Sequence, residues 1–184
     1  IAEMLRHMGC KAAPRIVAGQ GTIGAGLPNA AAEAIVAEAM RDDPMPLFLT
    51  CGGPLTNVAA ALRLEPRIAQ RMTLIWIGGG AYPAGGWEYN ANTDLDAART
   101  VVAESAVPLW QIPQPTYRQM QISIAELSAD MKPISPFTQW LYSTFTSPPD
   151  FVDLGGTWPM GDSPLVLLSG LSGESSRYHD RTAQ

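Results

Sequence analysis

The sequence is short of cysteine, histidine and clustered basic residues, and each shortage closes off a class of function. Its two cysteines, Cys10 and Cys51, form no C-x-x-C pair. Two thiols are too few for a disulfide scaffold, and packing as small apolar residues is the simpler role. The two histidines, His7 and His179, lie far apart, and no serine sits in a G-x-S-x-G elbow, so a Ser-His-Asp site has no support. The formal charge is −5 and no Lys/Arg cluster occurs, which argues against nucleic acid or an anionic membrane as partner. No stretch of about 18 apolar residues is present, so no spanning helix is expected. The chain opens Ile1-Ala2-Glu3, with neither an initiator Met nor a signal-peptide pattern. It therefore reads as a fragment whose targeting signal, if any, lies upstream, and the default expectation is a cytoplasmic protein.

What is present suits a packed domain. Hydrophobic residues make up 46% of 184, enough for one sizeable core. The expectation is a single α/β domain over 1–184, incomplete at both ends, with 171–184 as an exposed polar tail. Ile1 to Met8 reads as a helix end closed by Gly9. Arg15 to Ala18 is a short strand candidate leading into a glycine-rich loop, Gly19 to Gly26. Asn29 is placed to cap a helix running to about Met40. Leu47 to Thr50, Met72 to Ile77 and Val107 to Ile112 are apolar runs of strand length, the pattern of strands buried on both faces. Between them come a helical segment, Leu55 to Leu64, and a second from Asp96 to about Ser105 capped by Asp94. A further helix is expected around Phe137 to Phe145. This alternation predicts a mostly parallel sheet with helices on both faces. Ligands of such sheets sit beyond the carboxyl ends of the strands, here the loops Thr50 to Pro54, Gly78 to Asn90 and Pro113 to Tyr117.

Gly19-x-Gly21-x-x-Gly24 has dinucleotide-binding spacing, but Gly26 and Pro28 interrupt the chain where the phosphate-facing helix should start. A connecting loop is the better reading. Among the acids, Glu88 lies at the ligand end of the sheet two residues before Asn90, and an extended loop would turn both the same way. Asp162, in the turn before the apolar run Leu165 to Leu168, is either a helix cap or an oxygen ligand, and spacing alone favours the cap.

Four stretches, in order along the chain, carry a resemblance. They are Gly53-Pro54-Leu55-Thr56-Asn57-Val58-Ala59, then Ile77-Gly78-Gly79-Gly80, then Trp87-Glu88-Tyr89-Asn90 with Asp94, Ala97 and Ala98, and finally Met160-Gly161-Asp162-Ser163-Pro164-Leu165. Together they resemble the nucleoside hydrolases of the inosine/uridine-preferring kind. The resemblance implies hydrolysis of the N-glycosidic bond of ribonucleosides with calcium-bound water, in base salvage, with Ca2+ as cofactor and a small-molecule ribonucleoside as the partner. It implies that Glu88, Asn90 and Asp162 bind substrate. It makes Asp162 a metal ligand, with the backbone carbonyl of Gly52, or of a residue next to it, as another. Calcium wants about six to eight hard oxygens, which carboxylates, a carbonyl, diol hydroxyls and water supply.

The chain departs from the family in several places. The family's Asp-x-Asp-x-x-x-Asp-Asp motif, which supplies the catalytic base, is absent; Asp94-Leu95-Asp96 lacks its second half and reads as a helix cap. The base is therefore expected upstream of Ile1, and this chain alone is expected to be inactive. Gly161 stands where many members carry a leaving-group histidine. Trp87, Tyr89 and Tyr117 are candidates for stacking on a base, with rim or core packing as the alternative for each. Rival readings are a non-catalytic ribose-binding relative and a dinucleotide-dependent oxidoreductase using Gly19 to Gly24. Self-association is left open.

Overall fold

The computed structural model describes residues 1–20, 29–150, 152–153 and 155–170. Gly21, Gly24, Gly26 and Pro28 of the glycine-spaced segment fall outside the described residues, as does the polar tail with His179. In chain order the helices are α1 (Ala2–His7), α2 (Ala30–Ala39), α3 (Thr56–Leu64), α4 (Tyr89–Thr93), α5 (Leu95–Arg99), α6 (Gln114–Tyr117), α7 (Ile124–Glu126), α8 (Pro136–Phe145) and α9 (Ser163–Ser169). The strands are β1 (Leu47–Cys51), β2 (Met72–Ile77), β3 (Leu109–Ile112), β4 (Gln121–Ser123) and β5 (Thr157–Pro159). No helix among the described residues is long and apolar enough to cross a membrane.

Backbone contacts divide the chain into two compact units, 17–117 with 161–184, and 1–16 with 118–160. In the first, β1, β2 and β3 form a parallel sheet with β2 in the middle. A central strand is covered on both faces, which is why β2 reads as an unbroken apolar run. Its side chains alternate: Met72, Leu74 and Trp76 enter a core with Val58, Ala59 and Leu62 of α3, Ala32 of α2 and Ala97 of α5. Ile75 and Ile77 point the other way, to Ile112, Tyr117 and two leucines of α9, Leu165 and Leu168. Helices therefore cover both faces, as expected of the α/β class.

Three helix starts follow from side-chain chemistry. Asn29 Oδ1 accepts from Ala31 N–H and Ala32 N–H, both at 3.1 Å, and so caps α2. Asp94 Oδ1 accepts from Ala97 N–H at 3.0 Å, capping α5, while its Oδ2 accepts the Thr56 hydroxyl at 2.6 Å. One buried carboxylate thus caps α5 and ties it to α3, which settles Asp94 as a structural acid. Ser135 caps α8 through a reciprocal bond with Thr138.

The strand expected at Arg15 to Ala18 does not form; these residues join no ladder among the described residues. A strand needs a neighbour to receive its backbone bonds. Here the chain is anchored just beyond, where Gln20 N–H donates to Asn57 Oδ1 at 2.9 Å. Cys51 packs against the core, as a small apolar residue should, whereas Cys10 is exposed.

In the second unit β4 and β5 pair antiparallel, with Ile122 opposite Trp158. Three-residue strands are too short to show a period, so this pair was not expected. His7 stacks on Trp140 with ring centroids 4.6 Å apart, which gives that histidine a packing role.

Replacing Asp94 with Ala removes the α5 cap and leaves the half-buried Thr56 hydroxyl without this acceptor. The expected loss is about 2 kcal/mol of unfolding free energy in urea titration. Asp96→Ala, at an exposed position two residues further on, should stay within about 0.5 kcal/mol of the parent.

Candidate active site at the carboxyl ends of the strands

Three loops leave the carboxyl ends of β1, β2 and β3, and the expected site residues gather on or beside them. After β2 the chain runs through Gly78 and Gly79. Gly78 N–H still continues the ladder to Ile112 O at 3.2 Å. Gly79 then turns with φ +86°, a conformation that side-chain-bearing residues rarely adopt. A β-carbon there would also collide with the Gln111 amide, whose Nε2 donates to Gly78 O at 2.9 Å. The turn aims Gly79 N–H at Glu88 Oε2, 2.8 Å away.

Glu88 is 1% exposed. Its Oε2 also accepts from Ala91 N–H at 3.0 Å, and its Oε1 accepts the Tyr117 hydroxyl at 3.0 Å. Three donors take three of the roughly four lone-pair directions of a carboxylate, leaving one on Oε1. The Glu88–Asn90 segment is not the extended loop assumed from spacing. Glu88 is the N-cap of α4 and Asn90 lies in its first turn. The helical turn arises because the Glu88 carboxylate satisfies the Ala91 N–H that a short helix leaves open. Asn90 still faces the end of β2, donating from Nδ2 to Ile77 O at 2.9 Å.

Asp162 stands at the N-cap position of α9, but its side chain makes no capping bond. The cap favoured by spacing is therefore a position without the interaction. Its carboxyl lies over Gly52 instead: a β-carbon on Gly52 would be 3.2 Å from Asp162 Cγ and 3.3 Å from Oδ1. A side chain at 52 would press on the carboxyl, which would have to give by a few tenths of an ångström. Asp162 is exposed as a residue, yet its carboxyl is partly desolvated, and that burial raises its pKa above the ordinary aspartate value. Burial likewise pushes the Cys51 thiol up; a backbone hydrogen bond of Gly53 opposes this, and the charge of Asp162 adds to the rise. Such a thiol is a poor nucleophile.

Glu88 and Asn90 thus form one group at β2, and Asp162 with Gly52 another at β1, with Tyr117 bonded to the first and beside Gly161, which precedes Asp162. Its hydroxyl meets Glu88, and a β-carbon on Gly161 would lie 3.4 Å from Tyr117 Cδ2. Of the aromatic candidates, Trp87 and Tyr89 are exposed on the loop, while Tyr117 is partly buried. Spacing did not reveal that Tyr117 and Gly79 hold Glu88; the legible signal was only that each sits at the ligand end of a strand. No group of three His, Cys, Asp or Glu side chains close enough to hold a metal occurs among the described residues.

The family model for inosine-uridine preferring nucleoside hydrolases matches residues 6–166. The chain belongs to this family. The pyrimidine-specific ribonucleoside hydrolase RihA of Salmonella arizonae is 32% identical over 103 residues, which are 54% of this chain and 33% of that protein. RihA of Escherichia coli O9:H4 is 33% identical over 85 residues, 44% of this chain and 27% of its own length. The chain thus spans about a third of the curated relatives it matches. Among solved structures, an inosine-guanosine nucleoside hydrolase superposes with a TM-score of 0.62 at 22% identity, over 77% of this chain and 47% of that one. A purine-preferring ribonucleoside hydrolase from Gardnerella vaginalis gives 0.53 at 23% identity, over 79% of this chain and 48% of its own. These likenesses establish the shared fold of a nucleoside hydrolase.

The raised pKa of Asp162 makes a stability prediction. The folded state keeps the Asp162 proton to higher pH than the unfolded chain does. Its contribution is therefore least unfavourable in acid, and stability falls as pH rises through the raised value. In chelator-treated protein, Asp162→Asn should melt slightly higher than the parent near neutral pH. The two melting curves should converge below the ordinary aspartate range.

Proposed function

We propose that a protein carrying this chain hydrolyses the N-glycosidic bond of ribonucleosides, releasing the base and ribose. The observation that carries the reading is the position of Asp162. Its carboxyl lies over Gly52 with no capping duty, at the same sheet end where Glu88 and Asn90 converge. Family membership supplies the reaction class. The relatives' names cover pyrimidine, inosine-guanosine and purine substrates, so the element common to them is the riboside, and the proposal is confined to it.

The bond to be broken joins C1′ of ribose to a base nitrogen. Its heterolysis leaves an oxocarbenium-like sugar that water then captures, with a general base taking the water proton and the departing base gaining one. Hydroxyl groups held by carboxylates lend electron density to that cation and fix its orientation. Asn90 and Asp162 are proposed to hold ribose hydroxyls, with Glu88 contributing through the free lone pair of Oε1. The proton acceptor is proposed to be an aspartate outside this chain, as the resemblance to the family implies; Glu88 and Asp94 have bonds within the fold. By the same reasoning the chain alone is proposed to be inactive.

A calcium site is the second part of the proposal. Asp162 and the Gly52 carbonyl are hard oxygen donors on adjoining turns, the right kind for Ca2+ but too few of the six or so it needs. They would hold it jointly with oxygens from substrate, solvent and residues beyond this chain. When bound, calcium supplies fixed positive charge beside which water loses a proton more readily.

The test is release of p-nitrophenolate from p-nitrophenyl riboside by the complete gene product containing this chain. Activity should vanish on chelation, return with calcium, and fall about a hundredfold or more in Asp162→Asn. Calcium-loaded, folded protein that releases no nitrophenolate would refute the hydrolase reading.

A further inference from the structure

We propose that Tyr117 is a positioning residue that sets the ribose-facing oxygen of Glu88; this rests on the riboside reading above. The two oxygens of Glu88 are held differently. Oε2 is fixed by two backbone donors, Gly79 N–H at 2.8 Å and Ala91 N–H at 3.0 Å, which the chain supplies whatever its side chains. Oε1 has one partner among the described residues, the Tyr117 hydroxyl at 3.0 Å. Oε1 is also the oxygen with a lone pair to spare, so the direction of that lone pair is set by Tyr117.

Tyr117 is itself held on two sides. It ends α6, with its N–H bonded to Pro113 O at 3.1 Å, and its ring packs on the cluster of Ile75, Ile77 and Ile112. The ring edge lies beside Gly161, the residue before Asp162, where a β-carbon would sit in ordinary contact with it, 3.4 Å from Cδ2. One side chain therefore bonds the carboxylate at β2 and lies beside the turn that carries Asp162. A ring serving only to fill the core would need no hydroxyl. Here the hydroxyl meets a fully buried carboxylate, where a bond to a charged group is worth most.

Tyr117→Phe keeps the ring against Gly161 and removes only the bond to Glu88. In the complete, calcium-loaded gene product, KM for p-nitrophenyl riboside and the inhibition constant of free D-ribose should rise together by about tenfold. The calcium concentration giving half-maximal activity should stay within about twofold of the parent, because the Asp162 turn is untouched. Tyr142→Phe, in the other compact unit, serves as the control for losing a tyrosine hydroxyl and should leave both constants unchanged. A merely structural role would appear instead as a lower melting temperature with both constants unmoved, and that result overturns the proposal. So does a Phe variant that fails to fold, since it would make the bond a folding requirement. A parent without turnover sinks the riboside reading itself, and the role of Tyr117 with it. An active parent with an unaltered Phe variant sinks the positioning role alone.

Discussion

Burying a carboxylate is among the most unfavourable events in folding unless donors meet it, and Glu88 is the place where this chain accepts that cost. Much of the surrounding geometry answers to it. Gly79 takes a positive φ so that its N–H can point at Oε2. The Glu88–Asn90 segment bends into a helical turn so that a second N–H can do the same. Tyr117, on the loop after β3, closes the remaining side. The carboxylate therefore staples three segments at one end of the sheet: the end of β2, the start of α4 and the end of α6. A buried acid with this many backbone donors is rigid, and rigidity is what a group that orients a sugar needs.

Asp162 makes the contrasting case. It has the helix N-terminal position in which aspartate ordinarily satisfies an open N–H, yet its carboxyl points elsewhere. It forgoes the capping bond and lies over a glycine backbone, at some cost in desolvation. Local departures of this kind gather where function competes with stability. Asp94 shows the ordinary outcome in the same molecule: similar chemistry, two bonds inside the fold, and no capacity left for a ligand.

The sheet and its covering helices were legible because their signals are physical and local. Apolar runs of strand length reported the strands buried on both faces, and Asn29 and Asp94 announced their helices through capping chemistry. What stayed hidden was set by pairing at a distance. Arg15 to Ala18 has strand-like residues but no neighbour to pair with. The β4–β5 pair has a neighbour but too few residues for any period to show. At the site, motifs placed Glu88, Asn90 and Asp162 at the ligand end of the sheet. They could not show that Glu88 begins a helix, because that depends on which N–H groups its carboxylate finds. Nor could spacing reveal that Tyr117 holds Glu88, since its partner lies 29 positions away in the chain.

Counting oxygen donors sharpens what this chain can and cannot do alone. Of three acids near the strand ends, Glu88 is held by three bonds and Asp94 by two, which leaves Asp162 as the one proposed to face a cation. One carboxylate and one backbone carbonyl hold a hard divalent ion weakly in water, because each ligand must replace a well-bound water molecule. Affinity rises steeply once further carboxylates converge on the same point. With glycine at 52, no side chain of its own stands between the β1 turn and the Asp162 carboxyl. Under the proposed function the chain presents one wall of a site, with the carboxylate proposed to orient the sugar already held by three bonds. Its cation would then be held firmly only where oxygens from outside these residues complete the shell.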